Sequence, residues 1–343
     1  MRDKVLIVAE LSANHGHDLS IALEAVRAAK KAGADAIKLQ TYTPDTITID
    51  GEQECFRIKK GTVWDGDTLY ALYKKAYTPW EWHEAIQKEA EANGLQFFST
   101  PFDFSAIDFL ERLKVPMYKI ASFEINDLPL IEYAASKGKP MILSTGIATL
   151  GEIEDAVDAC RRSGNDNITL LKCTSEYPAR PEDANLRTMV NLAETFGVEV
   201  GLSDHTEGAA VAIAAVALGA RMIEKHFIVD RSIGGPDASF SMEPQSFASM
   251  TESIRVAEKA VGRVSYEMTE SKKRSRFFMR SLFAVHDIAE GEFLSAKNIR
   301  SIRPGVGISP KYLPSIMGAV ARRQILRGTP LSWNDISSDY ERF

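Results

Sequence analysis

Apolar residues in this chain follow two rhythms that alternate along most of its length. Eight short runs are apolar at nearly every position: VLIVAEL (5–11), AIKLQTY (36–42), QFFSTP (96–101), MYKIAS (117–122), PMILST (140–145), ITLLKCT (168–174), VEVGLSD (198–204) and MIEKHF (222–227). That is the pattern of parallel strands covered on both faces. Each run is followed by a stretch with apolar residues at helical spacing. Examples are SIALEAVRAAKKAG, PWEWHEAIQKEAEANG and GEIEDAVDACRRSG, each closing on a glycine suited to end a helix. Eight such units with short connections predict an α/β fold, a (β/α)₈ barrel over residues 1–262. A doubly wound open sheet is the alternative, less favoured because no G-x-G-x-x-G opens the first helix.

Two segments break the rhythm. Residues 43–77 form a long insertion after the second strand, and long loops in compact domains usually serve as lids or binding loops. After residue 262 the chain turns charged, in GRVSYEMTESKKRSRFFMR, with no clear strand–helix unit, and reads as a linker over 263–280. Residues 281–343 then predict a compact module of short strands, turns and a short helix.

Composition narrows the class. A length of 343 residues suits a barrel of about 250 residues with a small appendage. The net charge of −6 gives no electrostatic reason to expect nucleic acid, so SKKRSR reads as a solvated hinge. No apolar run approaches a membrane span, and Glu10 breaks the N-terminal run too early for a signal peptide. Three widely spaced cysteines, Cys55, Cys160 and Cys173, suggest neither a disulfide framework nor a zinc knuckle. The reducing cytoplasm is the expected compartment.

Parallel barrels carry their chemistry at the C-terminal ends of the strands. Those ends deliver Glu10, then Asn14 and His15 beyond it; Lys38 and Gln40; Ser99 and Thr100; Lys119 and Ser122, with Glu124 beyond. They continue with Ser144 and Thr145; Thr174 and Ser175, with Tyr177 beyond; Ser203, Asp204 and His205; and Glu224, Lys225 and His226. Lys38 and Lys119 among so many hydroxyls describe an oxyanion site for phosphate or carboxylate. Either lysine alone could instead form a Schiff base, with Lys119 the better candidate. His205 and His226 end consecutive strands, a placement that favours a divalent metal with open coordination positions over ordinary hydrogen bonding. His15 reads as a ligand, an acid–base group or a loop hydrogen-bonder. His83 and His286 read as structural, His17 as loop surface, Trp80 and Trp82 as helix packing, and Cys173 as core. A carboxylate as enclosed as Glu10 is either paired with lysine or engaged in proton chemistry.

AELSANH, IKLQTY, FSTPFD, YKIASFE, LSTGIA, LKCTSEYP, GLSDHT, EKHF and GGPDASFSM occur in order along the barrel, and IRPGVG follows in the last module. Together they closely resemble the sialic acid synthase family, over essentially the whole chain. The resemblance implies condensation of phosphoenolpyruvate with an N-acylated amino sugar. It also implies an antifreeze-protein-like (SAF) domain after the barrel, and a domain-swapped homodimer in which that domain caps the partner's site. By residue, it makes His205 and His226 ligands of a divalent cation, commonly Mn²⁺, with Mg²⁺ or Co²⁺ as alternatives. Lys38, Thr100, Lys119, Ser122, Ser144, Ser175 and Ser203 match phosphoenolpyruvate-binding positions. Glu10 matches the catalytic carboxylate. Gln40, Glu124, Tyr177 and Asp237 match sugar contacts, and Arg303 matches an arginine reaching from the swapped domain. Glycines after Arg303 are expected to leave room for a ligand. Ser175 replaces a usual Asn, and ASFE replaces a GSGE-like sequence. With YTPDTITI, GTVWDGDTLYALY and YTPWEWH, these departures resemble the pseudaminic acid synthase branch, which uses a 2,4-diacetamido-2,4,6-trideoxy-altrose. The neighbouring branches implied are N-acetylneuraminate and legionaminic acid synthases.

Overall fold

A computed structural model describes residues 4–59, 61 and 64–337. Lys60, Thr62 and Val63 of the insertion and residues 338–343 of the last module lie outside the described residues. The chain divides into two compact units, Met1–Gly262 and Arg263–Phe343.

The first unit is a closed barrel of eight parallel strands in sequence order. They are β1 (Leu6–Glu10), β2 (Ala36–Thr41), β3 (Gln96–Pro101), β4 (Tyr118–Ile120), β5 (Met141–Ser144), β6 (Ile168–Cys173), β7 (Glu199–Asp204) and β8 (Met222–His226). β8 closes on β1 with Leu6 opposite Met222 and Glu10 opposite His226. The strands coincide with the eight apolar runs, trimmed by a residue or two where the ladder ends. Helices follow as the periodicity predicts. Asp18, Asp103, Asp127 and Thr149 start four of them, each side chain accepting a backbone N–H of the first turn. Gly94 (φ +66°) and Gly164 (φ +78°) stand just past two helix ends in left-handed backbone, where a side chain would be strained.

Alternation along the strands sorts every residue to one of two faces. Ile7, Ala9, Ile37, Leu39, Leu143 and Ile223 are among those facing the helices, and they belong to the main core between sheet and helices. A second, smaller cluster fills the barrel itself: Val8, Ala36, Phe98, Ile142, Leu171 and Met222, with Leu6 and Met117 packed against it. β7 contributes Gly201 at this level. A Cβ there would stand 2.4 Å from the Met222 carbonyl oxygen and 2.7 Å from Leu171 Cδ2, so only glycine fits.

The insertion after β2 is structured. It carries the helices Pro44–Ile47 and Leu69–Ala76, a 3₁₀ turn at Glu54–Phe56 and a bridge from Arg57 to Thr68. Trp80 stacks on Phe109 with ring centroids 4.9 Å apart, and Trp82 packs against the main core.

The second unit pairs β9 (Ser281–Ala284) antiparallel with β10 (Ile299–Ile302) over a core that includes Leu282, Leu294, Ile308 and Leu331. The linker is not wholly irregular. A short helix spans Glu270–Ser275, its start capped by the Thr269 hydroxyl, and a 3₁₀ turn follows at Arg276–Phe278. The charged composition hid a Thr–Glu helix start. The glycines after Arg303 also differ from expectation. A Cβ on Gly305 would meet the Arg276 carbonyl at 2.8 Å, and one on Gly307 would meet the Leu282 and Leu331 carbonyls at 3.0 Å. Both serve close packing within this unit rather than room for a ligand.

Candidate active site at the barrel mouth

One step of two residues along each strand turns the apolar interior polar. Above Val8 stands Glu10; above Ala36, Lys38; above Phe98, Thr100; above Met117, Lys119. Above Ile142 stands Ser144; above Leu171, Cys173; above Gly201, Ser203; above Met222, Glu224. All eight side chains are at most 4% exposed. A closed layer of this kind, charged yet cut off from water, costs stability unless its groups are paired or a ligand completes them.

The pairing is partial. Lys38 Nζ lies 2.8 Å from Glu10 Oε2 and 3.5 Å from Glu224 Oε1, and donates to Thr100 Oγ1 at 3.2 Å. Lys119 Nζ is 3.9 Å from Glu224 Oε1, and the Ser203 hydroxyl donates to that oxygen at 3.3 Å. Glu224 Oε2 and Ser144 Oγ are buried with no hydrogen-bond partner. Burial pushes the Glu10 carboxyl above the usual carboxylate range, against the pull of Lys38. Burial also lowers Lys119, whereas for Lys38 the pull of Glu10 and Glu224 outweighs burial and raises it. Glu224 is held low, because Lys119 and Lys38 together outweigh its burial.

Further groups surround this layer. Gln40 donates to Glu10 Oε1 at 3.1 Å and to Ser12 Oγ at 2.9 Å. Ser122 Oγ accepts the Gly146 N–H at 3.1 Å. Gly146 is required here, because a Cβ would stand 2.2 Å from Ser175 Oγ and 2.9 Å from Ser122 Oγ. Glu124, at the edge, has its carboxyl pushed up to about 7 by burial, and its Oε2 has no hydrogen-bond partner.

His205 and His226 face each other with ring centroids 5.3 Å apart. The His205 Nδ1 lies 2.9 Å from the Thr174 carbonyl oxygen and donates to it, which fixes the ring; burial lowers this imidazole, but attraction to Cys173 outweighs it and raises the group above its usual range. Burial and the neighbouring His205 hold His226 well below the usual imidazole range, in its neutral form. Its Nδ1 is buried without a hydrogen-bond partner, 3.7 Å from Asp237 Oδ2. Burial raises the Asp237 carboxyl. Neutral imidazoles are what a divalent cation binds. Among the described residues no group of three or more His, Cys, Asp or Glu is placed to hold a metal ion, so His205 and His226 stand as a pair.

Tyr177 packs on His205 with centroids 4.3 Å apart, and on Phe240 at 5.1 Å. Trp64 of the insertion lies 5.3 Å from Tyr177 and donates its indole N–H to the Pro236 carbonyl at 3.0 Å. The insertion therefore contributes to the wall of the mouth.

Of the positions named from sequence as rim residues or family matches, the structure brings Glu10, Lys38, Gln40, Thr100, Lys119, Ser122, Glu124, Ser144, Ser175, Tyr177, Ser203, His205, Glu224, His226 and Asp237 into one mouth. Arg303 belongs to the second unit, exposed after β10. Three rim residues point away. Ser99 bonds Thr41 at 2.6 Å, and Asp204 pairs with Lys225 at 2.7 Å, all on the helix-facing side. His15 is a loop hydrogen-bonder, with Nε2 3.1 Å from Thr78 Oγ1. His83 bonds Thr41 and the Pro79 carbonyl, and His17 bonds the Lys75 carbonyl. Cys173 is buried but does not join the apolar core. Its Sγ lies 3.8 Å from His205 Nδ1, and attraction to His205 outweighs burial to bring the thiol down to about 7. Strand parity would have placed Cys173 in the site. No sequence signal pointed to Ser12 or Trp64.

A cavity of about 620 Å³ at Lys4, Glu199, Arg221 and Glu258 lies at the other end of the strands, and Arg221 is 3.6 Å from Glu199 there.

Residues 25–266 match the NeuB family and residues 279–337 match the SAF domain. A pseudaminic acid synthase of Helicobacter pylori is 50% identical over 96% of this chain and 97% of its own length. An N,N'-diacetyllegionaminic acid synthase of Legionella pneumophila is 38% identical over 97% of this chain and 94% of its own. The crystal structure of an N-acetylneuraminic acid synthetase from Leptospira borgpetersenii, in complex with citrate, is 33% identical. It superposes with a TM-score of 0.71 over 80% of this chain and 90% of that one.

Proposed function

This chain belongs to the NeuB family, and on that premise we propose that it is a transferase that makes pseudaminic acid. The substrates are phosphoenolpyruvate, 2,4-diacetamido-2,4,6-trideoxy-L-altrose and water, and the second product is phosphate. The observation that carries the reading is the buried Lys38–Glu10–Glu224–Lys119 layer, with its unsatisfied Ser144 hydroxyl and Glu224 oxygen. The similarity to pseudaminic acid synthases over nearly the whole chain selects the sugar.

In this reading, Lys38, Lys119 and the hydroxyls of Thr100, Ser122, Ser144, Ser175 and Ser203 hold the phosphate and carboxylate of phosphoenolpyruvate. Citrate in the Leptospira structure is likewise a carboxylate ligand. The C2=C3 π pair of phosphoenolpyruvate forms the bond from C3 to the sugar's aldehyde carbon, whose C=O π pair moves to its oxygen; that oxygen takes up one of the two protons of the reacting water, and the other leaves with phosphate. Water adds at C2, and the C2–O bond breaks to release phosphate. Glu10, raised by burial and aligned by Gln40, takes the proton of that water. Gln40, Glu124, Tyr177 and Asp237 line the sugar side. The neutral His226 and the oriented His205 fit a divalent cation, Mn²⁺ before Mg²⁺ or Co²⁺. Bound there, it would supply Lewis-acid polarisation of the aldehyde oxygen.

The protein works as a domain-swapped homodimer, with Arg303 reaching the partner's mouth to bind the sugar's acyl group. Support comes from the linker, where Tyr266 is 92% and Val264 88% exposed, side chains that normally seek a cover. Three free thiols suit the cytoplasm. No helix among the described residues is long and apolar enough to cross a membrane.

Phosphoenolpyruvate labelled with ¹⁸O in the bridging position tests the reaction. The label should appear in phosphate, only when sugar and metal are both present. Label retained in the sugar product would contradict C–O cleavage. The buried, lowered Lys119 also favours a second reading, a Schiff-base aldolase. Borohydride trapping with pyruvate would capture that imine and should fail here. For the swap, Arg303→Ala and Glu10→Gln chains should each be nearly inactive alone. They should regain activity on subunit exchange, because one mixed site is then intact. Proven exchange without recovery would place Arg303 in its own subunit's site.

A further inference from the structure

On the helix-facing side of β7 and β8, directly behind the two histidines, lies a second buried charge pair. Lys225 Nζ stands 2.7 Å from Asp204 Oδ2, and the side chains are 2% and 1% exposed. The pair points away from the barrel interior, so it contacts neither the anion layer nor the mouth. Its position in the ladder is particular. Asp204 opposite Lys225 is the last register pair joining the two strands. His205 is the first residue past it, and His226 is the residue after Lys225.

Three contacts then bracket His205. Asp204 Oδ1 accepts the Thr206 N–H at 2.9 Å and the Thr206 hydroxyl at 2.7 Å, closing a turn around residue 205. The Lys225 ammonium donates also to the Thr206 carbonyl oxygen, carrying the connection between strands one residue beyond the ladder. The His205 carbonyl accepts the Ala179 N–H at 2.9 Å, and the His226 carbonyl accepts the Met242 N–H at 2.9 Å. The backbones that carry the two rings are thus tied to each other through the pair and to the neighbouring loops on either side.

Stability alone is a poor reason for such a pair. Two apolar side chains of the same volume at a buried site are often as stable as an ion pair, or more so. Apolar side chains could not, however, bridge from β8 to the 204–206 turn through directed bonds. We propose that Asp204 and Lys225 are positioning residues, which fix the spacing and aim of the His205 and His226 rings and thereby set the affinity for the divalent cation those rings hold. The inference rests on the metal reading above.

Mn²⁺ titration of the chelator-treated, full-length protein, followed by calorimetry without substrates, tests it. Asp204→Asn with Lys225→Met removes both charges and leaves no unpaired one buried. The double variant should bind Mn²⁺ about 10–100-fold more weakly, the range seen when residues behind a metal ligand are changed. Circular dichroism should still show the barrel. Lys225→Arg, which keeps the charge and the donors, should recover most of the affinity. Wild-type affinity in a folded double variant would overturn the inference. If the double variant does not fold, Asp204→Asn alone, which keeps the shape, carries the same comparison, and unchanged affinity again overturns it. Wild-type protein that binds Mn²⁺ no better than His205→Ala would instead bring down the metal reading, and this inference with it.

Discussion

The barrel holds two layers of side chains, two residues apart on the same strands, and they obey opposite rules. The lower layer, with Val8, Ala36, Phe98, Ile142, Leu171 and Met222, is apolar and packed so tightly that β7 must supply Gly201. The upper layer is just as buried. Yet it carries Glu10, Lys38, Lys119 and Glu224, and it leaves a hydroxyl and a carboxylate oxygen without partners. The backbone is the same in both, so secondary structure does not explain the difference. The lower layer is complete as it stands. On the function proposed here, a ligand completes the upper one, and it trades stability for that capacity.

Substitutions in the two layers should therefore separate stability from chemistry. Phe98→Ala, in the lower layer, should cost about 3–5 kcal/mol of stability. A denaturant melt checks this, and activity should fall only with the folded fraction. Lys119→Met, in the upper layer, should lower phosphate release by roughly 10²–10³-fold, as expected for loss of one preorganised charge. Its thermal midpoint should stay near that of the wild type, because Glu224 keeps Lys38 beside it at 3.5 Å. A large drop in midpoint would mean that the upper layer is built for stability after all.

Most of this contrast was legible in the sequence. Continuous apolar runs marked eight strands, and their C-terminal ends named Glu10, Lys38, Lys119 and Glu224 at one rim. A period of two, applied along every strand, would have moved Ser99, Asp204 and Lys225 to the outer face and brought Cys173 inward. Those errors came from reading the rim as one surface. Other contributions had no local signal. Ser12 reaches Gln40 and Trp64 reaches Tyr177 through loop paths that residue periodicity does not encode. The Thr269–Glu270 helix start was masked by the surrounding charge.

Smaller effects sharpen the contrast. Ser144→Ala removes a buried hydroxyl that bonds nothing in the protein, so stability should hold or rise slightly. Phosphoenolpyruvate should bind about tenfold more weakly, the scale of one hydrogen bond to a charged group. Direct binding measurements and a thermal melt check the two halves. Glu124 offers a test at the edge of the layer. Its folded-state pKa, raised by burial to about 7, lies above the ordinary carboxylate value. The stability it contributes is complete below that ordinary value and is lost as pH rises through about 7. Relative to Glu124→Gln, the wild type should thus lose stability from acid toward neutral pH and level off above. A parallel pair of pH profiles would contradict the burial assigned to this carboxyl.

The most direct test of the whole account is phosphate release from phosphoenolpyruvate by the Mn²⁺-loaded protein against three sugars, read as kcat/KM. They are 2,4-diacetamido-2,4,6-trideoxy-L-altrose, the 2,4-diacetamido sugar that leads to legionaminic acid, and N-acetylmannosamine. The account predicts release with the altrose sugar and a kcat/KM at least tenfold lower with each of the others, a difference of about 1.4 kcal/mol in transition-state stabilisation. Equal or faster release with N-acetylmannosamine, or none with any of the three, would contradict it.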